Sequence, residues 1–208
     1  RKAGKKAAKA GKADAMAQVA ALEKEVARLR RKLKDAEATA ASAPAVSPLA
    51  PAGGFPALPR VAGVEFAATA AGVRYAGRDD VMLARIAPGA SIAGVFTRSG
   101  TRAAPVLDCE AKLAALGDRA RGGFAFLVNS GNANAFTGGA GRAAVETTTA
   151  AAAAALGVPQ GHVFAASTGV IGEPLPAERI TAVMGALADG LSPGGAEAAA
   201  RAIMTTDT

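Results

Sequence analysis

A stretch rich in proline and small residues divides the chain and limits what can fold on either side of it. Residues 39–59 read TAASAPAVSPLAPAGGFPALP. Proline disrupts a helix interior, and serine, alanine and glycine supply no core, so this stretch is predicted to contain a linker. We therefore divide the chain into a basic tail with its linker, residues 1–45, and a single domain, residues 46–208.

The net charge of +7 belongs to the tail. Residues 1–40 contain twelve Lys or Arg and five Asp or Glu, whereas the remainder of the chain contains twelve of each. The domain has no excess positive charge with which to neutralise phosphates, so we expect no nucleic-acid partner. No apolar run approaches the roughly 18 residues of a membrane span, so we expect a soluble protein without a membrane partner.

Cysteine usage and the first residues suggest where the protein resides. One cysteine, Cys109, cannot form an internal disulfide framework, and the first forty residues lack the apolar core of a secretory signal. Both features favour a reducing, cytoplasmic compartment. The chain begins with Arg rather than Met, from which we expect a fragment of a longer protein.

The tail changes character near Ala15. Residues 1–13 are a low-complexity run of Lys, Ala and Gly, which is typical of disorder. Beyond them, apolar residues recur at alternating spacings of three and four, the pattern of a coiled-coil seam: Val19, Leu22, Val26, Leu29, Leu33 and Ala36. The seam favours a parallel two-stranded coil, with Glu25 facing Arg30 of a partner helix. A single charged helix is the alternative, because so short a seam is marginal.

Within the domain, short apolar runs bounded by turn residues predict strands at Val64–Ala68, Val73–Tyr75, Val81–Ile86, Ile92–Thr97, Gly123–Val128 and Val163–Ala166. Helical patterns predict helices at Glu110–Leu116, Arg142–Leu156, Ala177–Ala188 and Ala196–Met204. Gly157 and Gly190 are predicted as left-handed end caps, and Pro176 suits a first helical turn. Because strands and helices interleave without strict alternation, we predict an α/β domain of layered α+β type.

Three polar segments follow predicted strands or helices, where turns and backbone dipoles build sites. The first contains residues that tolerate left-handed backbone and form side-chain hydrogen bonds: Asn129, Ser130, Gly131, Asn132 and Asn134. They either hold a polar ligand or tie down the next helix as an Asx-rich turn. The nearby glycines fit neither a dinucleotide fingerprint nor a P-loop, which disfavours a nucleotide.

The second segment places the hydroxyl of Thr168 beside the amide of Gly169, after a strand predicted to end at Ala166. Such donors suit a developing oxyanion, and a plain strand-to-loop turn explains the same residues equally well. The third segment is Met204-Thr-Thr-Asp-Thr208. Its hydroxyls either cap a helix or bind substrate, unless the terminus is simply frayed.

Other chemically capable residues are predicted to be structural. His162 has the pattern of a surface or core residue, and Cys109 lacks a neighbouring cluster of cations and is predicted to be a buried structural thiol. Adjacent side chains point apart on a strand, so Asp79 and Asp80 are not expected to form a carboxylate dyad or a metal site. The Arg98–Arg102 region is either an anion-binding loop or a solvated turn.

Several motifs together resemble one enzyme family. They are Val128-Asn-Ser-Gly-Asn-Ala-Asn-Ala135, Ser167-Thr-Gly-Val-Ile-Gly-Glu-Pro-Leu-Pro176, Gly94-Val-Phe-Thr97 with Ala104-Pro-Val106, and Ala202-Ile-Met-Thr-Thr-Asp-Thr208. In order and spacing, from about Ser47 to Thr208, the chain is similar to the α-chain of ornithine acetyltransferase, the bifunctional glutamate N-acetyltransferase of arginine biosynthesis.

The resemblance implies an acyltransferase made as a precursor that cleaves itself into α and β chains. The N-terminal threonine of the β chain takes acetyl from N-acetylornithine and passes it to glutamate, with its own α-amino group as base, and some members also accept acetyl-CoA. Such chemistry needs no metal and no resident cofactor. The implied partners are the small-molecule substrates and the β chain, in a heterotetramer of two α and two β chains.

Residue by residue, the resemblance assigns Thr168 and Gly169 to the oxyanion hole and Thr205 to substrate binding. Phe136 departs from the family's small or cysteine residue at that position. The nucleophile is expected beyond position 208, so we expect this chain to act together with another segment. Two alternative functions stay open: a catalytically inactive interaction module, and an amidase or aminopeptidase with an N-terminal nucleophile.

Overall fold

A computed structural model describes residues 57–116 and 123–205, together with residues 49–50 and part of the stretch 18–30. The chain divides near Ala50 into two units, which are described separately. The domain boundary predicted at residue 45 lies outside the described residues, so it stays a prediction.

In the tail, the described residues between Gln18 and Arg30 have helical backbone. The seam side chains described there are exposed: Val19, Leu22, Val26 and Leu29. Glu25 forms an ion pair of 3.1 Å with Arg28 of the same helix. An exposed apolar seam is compatible with a paired or a single helix, so the two-stranded coil stays a prediction. The low-complexity run, Leu33 and Ala36 lie outside the described residues.

The domain is built on a mixed sheet of four strands in the order β1-β2-β3-β4. The strands are Val64–Thr69 (β1), Val81–Ile86 (β2), Phe124–Asn132 (β3) and Val163–Val170 (β4). β1, β2 and β3 pair in antiparallel fashion, whereas β4 runs parallel to β3. Parallel neighbours need a crossover connection, which a long helix between β3 and β4 supplies.

The helices described in the domain are Ala104–Leu116 (α1), Gly138–Leu156 (α2), Ala177–Ala182 (α3), Met184–Asp189 (α4) and Ala196–Ile203 (α5). One core cluster joins α2, α3 and α4 to the sheet, with Leu83, Leu127 and Val163 of the strands against Ile180 and Leu187 of the helices. Burial of these apolar side chains drives the layers together. This architecture confirms the predicted α/β fold class. None of the helices in the described residues is long and apolar enough to cross a bilayer.

α1 covers the free edge of β4. The main-chain oxygen of Val163 accepts a hydrogen bond of 2.8 Å from Lys112 Nζ, and that of Ala165 accepts one of 3.3 Å from Cys109 Sγ. Side-chain donors thus satisfy edge carbonyls that no neighbouring strand pairs. This protection of the edge explains why a four-stranded sheet ends at a parallel strand here.

α5 lies against the face of the sheet opposite the core. Alternation along β3 turns Ser130 away from Leu127, and Ser130 Oγ donates a hydrogen bond of 2.7 Å to the main-chain oxygen of Ala202 in α5. Just before α5, Ser192 forms an isolated bridge with Phe66 of β1. The end of α5 therefore lies beside the carboxyl ends of β3 and β4.

Two of the predicted strands are wrong. Val73–Tyr75 is a loop, because the Val73 amide donates to the Asp80 carboxylate at 2.6 Å rather than to a strand. Ile92–Thr97 pairs with none of the four strands, and its residues Ile92 and Phe96 line a cavity beside α1. In both segments the apolar residues serve packing rather than a strand ladder.

The ends of several elements also differ from the prediction. α1 and α2 begin earlier than predicted, and β3 and β4 end later. The predicted helix Ala177–Ala188 is interrupted at Val183, where ψ of 1° departs from helical geometry. Gly157 has the predicted left-handed φ of 66°, whereas Gly190 has φ of −83°, so its predicted left-handed cap is wrong. Pro176 immediately precedes α3.

Candidate active site

The predicted oxyanion pair lies within β4 rather than after it. Thr168 pairs with Ser130 of β3, and Gly169 pairs with Gly131, near the carboxyl ends of two parallel strands. The ladder continues past both residues, so the strand end predicted at Ala166 is wrong. Because both residues belong to a hydrogen-bonded ladder, the sheet holds them more rigidly than a turn would.

Glycine is required at both positions of the Gly131–Gly169 pair. Their φ angles are 95° and 134°, which other residues rarely adopt. A Cβ added to Gly169 would stand 2.3 Å from the carbonyl carbon of Gly131, and a Cβ added to Gly131 would stand 2.8 Å from the Cβ of Arg74. The backbones therefore approach too closely here for any side chain.

The two predicted donors are accessible. Thr168 is half-buried and Gly169 is exposed. Within residues 57–116 and 123–205, no hydrogen-bond partner pairs with Thr168 Oγ1. Val163 and Ala165 direct their oxygens away from β3. By strand alternation we expect the Gly169 amide to face the same free edge.

The asparagines of the first polar segment hold the loop together. Asn129 Nδ2 donates to the oxygen of Asn132 at 2.8 Å, and Asn129 Oδ1 accepts from Ser167 Oγ at 2.7 Å. Asn134 Nδ2 donates to the oxygen of Gly141 in the first turn of α2 at 3.0 Å. All three asparagines are buried. These contacts support the Asx-rich turn and leave little of the amides to bind a ligand.

Thr205 follows α5 and is half-buried. Ser130 connects this helix end to the oxyanion pair, because its backbone pairs with Thr168 while its hydroxyl donates to Ala202. Three residues of chain span at most about 11 Å, so Thr205 stays close to Ala202. The structure therefore brings the three predicted site residues to one end of the sheet.

A second contact to the end of α5 comes from Arg78, a residue that no sequence motif marks. Arg78 Nη2 donates to the main-chain oxygen of Arg201 at 3.3 Å and to that of Met204. Its guanidinium carbon lies 4.6 Å from the centre of the Tyr75 ring, in cation–π geometry. Residues 78 and 201 are 123 positions apart, so no local pattern could have revealed the contact.

Arg78 belongs to a loop, residues 70–80, that a buried carboxylate organises. Asp80 is fully buried and accepts hydrogen bonds from the amides of Ala71 (2.7 Å), Gly72 (3.2 Å) and Val73 (2.6 Å). Asp79 is exposed. In the part of the chain that the structure describes, no group of three or more His, Cys, Asp or Glu residues is placed to hold a metal.

The remaining reactive residues make structural contacts, as predicted. Half-burial raises the pKa of the Cys109 thiol above its ordinary value, which favours the protonated form that donates to Ala165. His162 Nδ1 lies 3.1 Å from the oxygen of Gly123, and its ring stacks on Phe124 with centroids 5.2 Å apart. These contacts give neither side chain a catalytic arrangement.

A cavity of about 320 Å³ lies beside β4, and its lining reaches Ser167, the neighbour of Thr168, but includes neither Thr168 nor Gly169. Phe164 and Ala166 contribute to its lining, and by strand alternation they share one face of β4 with Thr168. The loop before α1 and α1 itself close its other sides. A cavity of about 630 Å³ lies at the opposite end of the strands, beside Gly63 and Gly123, and contains none of the predicted site residues.

The overall fold of the domain is similar to that of solved acetyltransferases. An ornithine acetyltransferase from Mycobacterium tuberculosis, complexed with ornithine, matches with a TM-score of 0.65 and 38% identity over 71% of this chain and 78% of that chain. The arginine biosynthesis bifunctional protein argJ from Bacillus halodurans matches with a TM-score of 0.61 and 36% identity over 71% and 74%. The domain therefore has the fold of the ornithine acetyltransferases.

The chain belongs to the ArgJ family, whose sequence model matches residues 65–208. The arginine biosynthesis bifunctional protein ArgJ of Ruegeria pomeroyi is 61% identical over 163 residues, covering 78% of this chain and 39% of that protein. Its counterpart in Nitrobacter winogradskyi is 52% identical over 164 residues, with 79% and 39% covered. The family resemblance drawn from the motifs is confirmed, and the chain spans about two fifths of the length of these relatives.

Proposed function

We propose that this chain forms part of a glutamate N-acetyltransferase of arginine biosynthesis, which moves an acetyl group from N-acetylornithine to L-glutamate. Family membership and the relatives' names support the reaction class. The observation that carries the proposal is the Thr168 hydroxyl, which has no hydrogen-bond partner among the described residues and is held on a rigid strand beside the exposed Gly169. A preorganised donor pair of this kind stabilises the anion of acyl transfer.

In the first half-reaction, the hydroxyl oxygen of the threonine expected downstream attacks the amide carbonyl of N-acetylornithine. The α-amino group of this threonine takes the hydroxyl proton and delivers it to the departing nitrogen, so that the C–N bond breaks and ornithine leaves. The product is an acetyl-threonine ester. While the carbonyl carbon is tetrahedral, Thr168 Oγ1 and the Gly169 amide donate to its oxygen.

In the second half-reaction, the amine of glutamate attacks the ester carbonyl, and the same two donors stabilise the oxyanion that forms. The C–O bond to threonine breaks, the proton that the glutamate amine loses passes through the threonine's α-amino group to the threonine oxygen, and N-acetylglutamate leaves. Thr205, at the end of α5, is the residue proposed to bind substrate. No metal or resident cofactor takes part in this scheme, and acetyl-CoA is proposed as an alternative donor.

The proposal includes the partner chain, the assembly and the cellular location. We assign it a β chain as partner, in a heterotetramer of two α and two β chains, and a cytoplasmic location. Support for these assignments comes from the family resemblance and from the absence of any disulfide requirement in a chain with one cysteine.

The test is kinetic and uses the complete protein. Thr168→Ala should lower the rate of acetyl exchange between N-acetylornithine and glutamate about 10²-fold, because one oxyanion donor is lost. Thr168→Ser keeps a hydroxyl and should retain most of the rate, and Thr101→Ala, at an exposed position, should match the wild type. Unchanged turnover in Thr168→Ala would exclude Thr168 from the site. A complete wild-type protein without acetyl exchange would overturn the activity itself.

A further inference from the structure

We infer that Arg78 is a positioning residue for Thr205, acting through the end of α5, and that it thereby sets the affinity for substrate. The inference rests on the proposed function, since it takes Thr205 as a substrate-binding residue. Its physical basis is the contact of Arg78 Nη2 with the oxygens of Arg201 and Met204.

The end of α5 needs such a partner. The last carbonyl oxygens of a helix accept no hydrogen bond from within the helix, and the negative end of the helix dipole favours a nearby cation. Arg201 presents one of these oxygens, which also accepts a hydrogen bond of 3.4 Å from the Met204 amide, and Met204, the residue after the helix, presents another main-chain oxygen. The guanidinium of Arg78 supplies a charged donor to both. Met204 directly precedes Thr205, so fixing its carbonyl fixes the peptide group that leads into Thr205.

Arg78 is itself held from the opposite side. Its guanidinium lies over Tyr75, and a Cβ added to Gly131 would stand 3.1 Å from the Tyr75 ring, so the ring packs directly on the backbone of β3. Gly131 in turn pairs with Gly169. A continuous series of contacts thus runs from the oxyanion strands through Tyr75 and Arg78 to the residue before Thr205.

The loop that carries Arg78 is rigid for independent reasons. Asp80 binds three of its amides, and Arg179 donates to the oxygen of Gly72. Arg74 forms an ion pair of 2.7 Å with Glu173. A charged side chain on a fixed loop holds the end of a short helix in one place, whereas a helix end without such a partner frays.

The experiment compares Arg78 variants of the complete protein in steady-state kinetics. Arg78→Met keeps an apolar stem over Tyr75 and removes the donors. We expect the KM for the substrate that Thr205 binds to rise about tenfold, the equivalent of one good hydrogen bond, while kcat changes much less. Arg78→Lys restores one charged donor and should recover part of the KM. The control is Arg60→Met, which removes an exposed arginine at the opposite end of the strands.

Hydrogen exchange provides a readout that does not depend on activity. Amides of residues 203–205 should exchange faster in Arg78→Met and not in Arg60→Met. In a Thr205→Ala background, Arg78→Met should add little to the KM, because both changes remove the same interaction.

Each other result contradicts the inference. Faster hydrogen exchange with an unchanged KM would show that the placement of Thr205 does not matter for substrate binding. A raised KM with unchanged hydrogen exchange would mean that Arg78 acts by another route. The same conclusion would follow if the effects of Arg78→Met and Thr205→Ala on the KM were fully additive. If the wild-type protein shows no acetyl transfer at all, the proposed function fails. Unchanged hydrogen exchange at residues 203–205 in Arg78→Met would separately refute the contact.

Discussion

The hydroxyl of Ser130 donates a hydrogen bond of 2.7 Å to the main-chain oxygen of Ala202, although the two residues are 72 positions apart. Both are fully or almost fully buried. The contact ties α5 to the strand that pairs with Thr168, so it links the two parts of the candidate site. It also gives the buried Ser130 hydroxyl an acceptor at the polar end of β3.

Removing this hydroxyl should destabilise the domain. In Ser130→Ala the Ala202 carbonyl loses a buried donor, and we expect the free energy of unfolding to fall by about 1–3 kcal/mol. Urea denaturation of both proteins measures the difference. Ser99→Ala, at an exposed serine, should change stability by about 0.5 kcal/mol or less. Equal midpoints for Ser130→Ala and the wild type would show that the bond contributes nothing.

The Gly131–Gly169 pair predicts a much larger effect. In Gly169→Ala the new Cβ meets the backbone of β3 at 2.3 Å, in addition to the strain of a positive φ, so we expect a loss of about 3–5 kcal/mol. Gly172 also has a positive φ, of 84°, but its Cβ would meet nothing within 4 Å. Gly172→Ala should therefore cost only about 1 kcal/mol, from strain alone. Thermal unfolding of the two variants separates contact from strain, and similar losses would refute the close approach.

Apolar runs bounded by turn residues located the four strands of the sheet, but the same signal also predicted two strands that are wrong, Val73–Tyr75 and Ile92–Thr97. β2 has the bounds predicted, and β1 differs at one end. The prediction fails at the carboxyl ends of β3 and β4, where Asn, Ser, Thr and Gly carry the ladder onward. These residue types signal a turn when only local preference is considered. Pairing with a parallel neighbour, which is a non-local interaction, overrides that preference.

The candidate site likewise has a part that the sequence predicted and a part that it did not. Thr168, Gly169 and Thr205 were predicted from motifs, because each lies in a short, distinctive stretch of sequence. Arg78 and Ser130 act through main-chain oxygens more than seventy positions away, and any residue type can supply such an oxygen. No sequence pattern encodes a contact of that kind, so the supporting residues emerge only from the folded chain.

Asp80 and Asp79 provide a matched pair of adjacent carboxylates. Asp80→Asn replaces one acceptor oxygen with a donor that would face a buried amide of the 70–80 loop, and we expect a loss of about 3 kcal/mol in unfolding free energy. Asp79→Asn, at an exposed position, should stay within about 0.5 kcal/mol of the wild type. Urea midpoints provide the comparison. If both variants unfold alike, the carboxylate of Asp80 does not organise the loop.

Cys109 predicts a pH dependence of thiol reactivity. Burial is the main cause that raises the pKa of this thiol, the carboxylate of Asp108 raises it further, and the nearby Lys112 opposes the shift. Less thiolate is present at any given pH, so alkylation by iodoacetamide should reach half its maximal rate at a higher pH than a free cysteine does. The chain has a single cysteine, so the urea-unfolded protein is its own reference.

The same shift fixes how stability depends on pH. The folded state retains the thiol proton to a higher pH than the unfolded state, so this contribution is fully present below the unfolded pKa and is lost as pH rises through the folded pKa. The wild type should therefore lose stability relative to Cys109→Ala as the solution becomes alkaline. Denaturation series at several pH values measure this difference. A folded alkylation midpoint equal to that of the unfolded chain, or parallel stability curves for the two proteins, would contradict a raised pKa.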